Sequence, residues 1–136
     1  MKYVYPAKIY AETGGGYTVA FPNVEGAIAQ GEKLFDALTL AEHALCEVLV
    51  AYENFKAGRT EEMTNYISEP VENLNIAGTS LTLIKADTDA YRQNPSKDIE
   101  LWYSPQTKKY FTMLGDDNAE TKCTAEKLIR NISGVE

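Results

Sequence analysis

Histidine occurs once in this 136-residue chain, as His43, and cysteine twice, as Cys46 and Cys123. Neither cysteine has metal-like spacing and there is one histidine, so a zinc site is not expected, and the two distant cysteines read as free thiols. Free thiols of this kind suit a reducing compartment. No metal and no cofactor is expected. Long apolar runs are also missing: "MKYVYPAKIY" has no signal-peptide core, and no stretch approaches a membrane span. The expected setting is therefore cytoplasmic, with no membrane partner.

A basic excess is absent as well. The net charge is −7, and counting by segment hides no basic stripe. Residues 1–67 hold nine acids and five bases, residues 68–96 four and two, and residues 97–136 seven and six. A free-standing nucleic-acid binder usually carries the opposite balance. If any part touches nucleic acid, it is the C-terminal third.

What is present is enough apolar material for a core, 44% of residues, and nine tyrosines. Tyrosine has a flat apolar body and a polar tip, which suits half-buried strands and contact surfaces. "KYVYPAKIYAE" alternates and reads as a strand, with Pro6 expected at an edge or bulge because it lacks an amide donor. "TGGG" turns the chain into "YTVAFP", "NVEG" turns it again, and "AIAQG" makes a short third strand. From Glu32 the period changes from two to about 3.6. Leu34, Ala37, Leu38, Ala41, Leu45, Val48, Leu49, Tyr52 and Phe55 then form one helical face, and Gly58 stops it.

Residues 58–79 carry no period and read as a loop, with one helical turn near Glu61. "SLTLIKA" is a fourth strand, with Leu81, Leu83 and Ala86 assigned to one side, and "DTDAYRQ" forms a short helical turn capped by Asp87 or Thr88. "NPSKD" at 94–98 is the linker. Beyond it, "IELWYSPQTKKYFTML" fits either a hairpin turning at "SPQTK" or a strand followed by a helix starting at Pro105. A helix is expected from Ala119 to Ile132. The fold class is thus α+β: a small antiparallel sheet on one long helix in the order β-β-β-α-β over residues 1–93, with a small C-terminal module over 97–136.

Catalysis finds little support. A metal-dependent nuclease needs carboxylates converging from several strands, whereas Glu12, Asp87 and Asp89 sit only at strand ends and read as caps and turn acids. His43 and Cys46 are three apart on one helix, within reach of each other, but no orienting group or oxyanion site accompanies them. His43 reads as a surface residue beside Glu42 and Glu47. The glycines of "TGGGY" join two strands, so no helix start follows to hold a phosphate. The chain is not expected to be an enzyme.

The ordered set Gly16, Tyr17, Val19, Phe21, Pro22, Gly26, Gln30, Gly31, Ala37, Ala41 and Leu45 resembles the HicB antitoxin family over roughly residues 1–92. "MKYVYPAKIY" is similar to that family's first strand, and "TSLTLIKADTDAYR" to its closing strand. The resemblance implies a partial ribonuclease-H-like sheet without the nuclease carboxylates, and a protein that binds and blocks HicA, a small messenger-RNA-cleaving toxin. It also implies an oligomer, and in many members a C-terminal DNA-binding module that represses the protein's own operon. Two departures stand out. Asn23 replaces a frequent Asp, and residues 97–136 match neither a ribbon-helix-helix nor a helix-turn-helix closely, because "IELWYS" would offer Glu100 and Trp102 to DNA.

Two residue groups are therefore candidates. Tyr3, Tyr5, Tyr10 and Tyr17 are either anchors for a protein partner on an open sheet face or cross-strand pairs that stabilise the sheet. Lys108, Lys109, Lys122, Lys127 and Arg130 are candidate phosphate contacts to operator DNA. An acidic inhibitor suits a basic RNase, since opposite charge speeds encounter. The alternatives are an orphan DNA-binding regulator on the same scaffold and an inhibitor of some other partner.

Overall fold

A computed structural model describes residues 1–60, 62–70 and 82–113 of the chain. Strand β1 (Lys2–Ala11) is followed by β2 (Tyr17–Ala20), β3 (Ile28–Gly31), helix α1 (Leu34–Lys56), β4 (Thr82–Asp87), the short α2 (Thr88–Gln93), and a hairpin of β5 (Leu101–Ser104) and β6 (Lys109–Thr112). The first four strands form one antiparallel sheet in the order β3-β2-β1-β4, and α1 packs across one face. The β-β-β-α-β order and the α+β class are as the periodicity predicts. Of the two readings for residues 99–115, the hairpin is the one formed.

The long β1 serves two neighbours in turn. Residues Lys2–Ala7 pair with β4, and Lys8–Ala11 pair with β2. Pro6 pairs only towards β4, opposite Leu83, and has no β2 residue across from it. The strand is central in the sheet, yet at Pro6 it is locally an edge, which is how a residue without an amide donor is accommodated there.

Side-chain alternation sets the core. Tyr3, Tyr5 and Ala7 of β1 share the helix-facing side with Val19, Ala29, Ile84 and Ala86, and they meet Ala37, Ala41, Ala44, Leu45, Val48 and Leu49 of α1. The assignment of Leu83 to the side of Ala86 is corrected: the period of two puts Ile84 with Ala86, and Leu83 is exposed opposite. Helix α1 ends as Gly58 suggests, with the Gly58 N–H bonded to the Phe55 carbonyl and the Arg59 N–H to the Asn54 carbonyl.

The hairpin is not set apart by the 94–98 segment. Ile99 belongs to the same core cluster, with Leu101 and Tyr110 packed against it. The stretch read as a featureless loop also has a place, because residues 62–68 lie against the bend between β2 and β3, where Val24 bridges Ile67. The helical turn near Glu61 and the helix at Ala119–Ile132 fall at least partly outside the described residues.

Candidate interaction surfaces

The bend "FPNVEG" grips two other parts of the chain, the 65–68 segment and β6. Glu25 donates its N–H to the Tyr66 carbonyl (2.8 Å) and accepts the Tyr66 N–H on its carboxylate (3.0 Å). The Asn65 side chain exchanges bonds with Tyr110, donating to its carbonyl at 2.8 Å and accepting its N–H at 2.7 Å, and also donates to the Glu25 carbonyl. The Glu25 carboxylate, 1% exposed, takes the Lys109 ammonium at 3.0 Å. The Thr112 N–H reaches the Gly26 carbonyl at 2.9 Å, and its hydroxyl bonds the Ile28 backbone. The Glu25 carboxylate, the Asn65 amide and the Thr112 hydroxyl are all answered from within the chain, so this is a structural junction. Its partners lie 40 to 86 residues apart in sequence, and no local pattern announces them.

The tyrosines divide between the faces. Tyr3 (7% exposed) and Tyr5 (1%) are in the core under α1, their rings stacked 6.1 Å apart. This corrects their candidacy as partner anchors: a buried ring is not available to another protein. Their hydroxyls explain how phenols tolerate burial, since Tyr3 donates to Glu53 (2.7 Å) and Tyr5 to the Ser68 carbonyl (2.8 Å). Burial, followed by the charges of Tyr52 and Glu69, pushes the Tyr5 phenol up to about 12. Tyr17 is half-buried against the same core, and Tyr10 is half-buried on the face away from α1, opposite Thr18. The sheet orientation was legible in Lys2 and Lys8, which share Tyr10's parity and are exposed.

Glu53 ties α1 to β1 and α2. Its carboxylate accepts from Tyr3 (2.7 Å), Thr88 (2.7 Å) and Arg92 (3.0 Å). Burial alone would raise its pKa, but the bonds from Thr88, Tyr3 and Arg92 outweigh that and leave it below the ordinary 4.5. A lowered folded pKa adds stability that is present above the ordinary value and is lost as pH falls through the folded value. Glu53→Gln is expected to lower stability at pH 7 by about 1–2 kcal/mol and to flatten the loss between pH 6 and pH 3. Urea midpoints at both pH values test this, and an unchanged acid limb would refute it.

Of the candidate phosphate contacts, Lys109 is held by buried Glu25, and Lys108 pairs with Glu62 at 2.9 Å on the surface. Lys122, Lys127 and Arg130 lie outside the described residues. The "IELWYS" strand pairs within the chain, Trp102 stacking on Phe111 at 5.7 Å and the Tyr103 hydroxyl reaching the Glu62 carbonyl, so it is not presented as an open ribbon. Cys46 is buried in the core, and burial, with the charge of Glu42, pushes its thiol up to about 12. It stays protonated at neutral pH, which disposes of a His43–Cys46 nucleophile pair. Among the described residues, no group of three or more His, Cys, Asp or Glu side chains is placed to hold a metal ion, and no helix is long and apolar enough to cross a membrane.

Two of the exposed areas among the described residues differ in their charged side chains. On the sheet face away from α1, Lys2, Lys8 and Lys85 are exposed beside Leu83, and a groove of about 480 Å³ at its margin touches Lys2, Val4, Lys85 and Asp87 together with Glu42 of α1. At the start of α1, Leu34 (43% exposed) and Phe35 (79%) stand in solvent. A concavity of about 330 Å³ there is lined by Phe35, Asp36, Thr39, Leu40, His43 and Asp98. His43 corrects its expected place on the open surface: it is half-buried, its ring 6.1 Å from that of Tyr91. No family model, no curated protein and no solved structure matches the chain.

Proposed function

We propose that this chain is a HicB-like antitoxin: a non-catalytic protein that binds a small, basic, messenger-RNA-cleaving toxin of HicA type in the cytoplasm and blocks it by covering its working surface. The observation that carries this reading is the β-β-β-α-β order, in which β4 returns after α1 to pair with β1. The residues of the resemblance stand at the turning points of that arrangement. Val19, Phe21, Ala37, Ala41 and Leu45 are in the core, Gly26 sits in the internal junction, and Tyr17 pairs with Gly31 across β2 and β3. The acidic balance of the chain, −7 overall, supports a basic partner.

Co-expression with a HicA-type toxin tests the proposal. The expected result is a complex that co-elutes through gel filtration, together with restored growth of cells making the toxin. A toxin that elutes alone, from cells that stay arrested, would overturn the antitoxin reading.

A further inference from the structure

We infer that the acid-rimmed aromatic patch at the start of α1 is the surface on which the basic toxin docks, with Phe35 as its anchor. The inference rests on the antitoxin reading and adds to it the surface used.

Phe35 is the most exposed of the large apolar residues described, at 79%. A phenyl ring in water adds nothing to the fold, and with Leu34 beside it the pair forms an apolar spot of the kind that marks contact sites. Phe35, Thr39 and His43 follow each other at intervals of four, so they share one face of α1 over two turns. Beside the ring lies the concavity of about 330 Å³, room enough for a long side chain. Its described lining includes carboxylates from two separate parts of the chain, Asp36 on α1 and Asp98 after α2, and neither lysine nor arginine.

His43 supplies an independent observation. Its Nδ1 is shielded from solvent and has no hydrogen-bond partner among the described residues. A shielded polar atom without a partner is uncommon and costly. A lysine or arginine N–H entering the concavity would meet the two aspartates that line it. An aromatic anchor beside an acidic pocket recognises a basic side chain flanked by apolar surface, which is what a small basic protein presents. The opposite sheet face has the wrong sign for such a partner, since its exposed charges include Lys2, Lys8 and Lys85.

The test measures binding of a purified HicA-type toxin to four full-length proteins: the wild type, Phe35→Ser, the double variant Asp36→Lys/Asp98→Lys, and Lys85→Glu as a control on the other face. All four altered residues are exposed, and thermal melts check that the variants fold. The wild type is expected to bind, Phe35→Ser to bind about 30-fold more weakly or worse, and the charge reversal to lose about 10-fold or more with slower association. Lys85→Glu is expected to stay within about twofold of wild type. Wild-type affinity retained by both patch variants would overturn this inference and leave the antitoxin reading standing. A wild-type chain that captures no toxin would overturn both.

Discussion

Gly26→Ala is expected to destabilise the protein by roughly 3–5 kcal/mol, combining a left-handed backbone penalty with overpacking. Gly26 has φ of +103°, and a Cβ placed on it would run into the Tyr110 backbone carbonyl and come within 2.7 Å of the Asn65 side-chain nitrogen. Neither neighbour can yield cheaply. The Tyr110 carbonyl belongs to β6, and Asn65 is bonded to both Tyr110 and Glu25. Gly15→Ala separates the two causes: it has a similar φ of +97° but open space around it, so it should lose only about 1 kcal/mol. Urea unfolding followed by circular dichroism measures both. Equal losses would show that backbone conformation matters at Gly26 and the close approach of β6 does not.

Lys109→Ala is expected to lower stability by about 3 kcal/mol, because it strips a buried carboxylate of its counter-ion. Glu25 is 1% exposed, and the Lys109 side chain is 20% exposed, so this pair is far less screened than Lys108–Glu62, whose side chains are both about half exposed. Lys108→Ala should therefore change stability by less than about 1 kcal/mol. The informative comparison is a double-mutant cycle with Glu25→Gln and Lys109→Met. Removing both partners should be milder than removing Lys109 alone, since no unpaired charge is left behind. A coupling below about 0.5 kcal/mol would mean that water reaches the pair and screens it.

These predictions fall on residues that carry no sequence signal of their own. Glu25 lies in a turn, Asn65 in a stretch without period, and Lys109 in a strand read for its charge as a DNA contact. Their roles come from being brought together across 40 to 84 residues. The candidate docking patch was equally hidden. Phe35 lies one residue beyond Leu34, which was assigned to the inward face and is exposed, in a helix whose inward face was read correctly at Ala37, Ala41, Leu45, Val48 and Leu49. Its exposure depends on what neighbouring elements leave uncovered, and Asp98 reaches the same concavity only because the chain returns past α1 after α2.

By itself the sequence determined the periods: two in β1 to β4 and about 3.6 from Leu34 to Lys56, with turns at the glycines. Those depend on contacts between near neighbours, and near neighbours are what a sequence displays. Alternation likewise put Tyr3 and Tyr5 together on one side. Only the tertiary structure decided that this side is the packed one, where Glu53 and the Ser68 carbonyl receive the two hydroxyls. It also decided that "FPNVEG" grips residues 65–68 and β6, since a buried carboxylate and an obligatory glycine have meaning only against the distant atoms that face them.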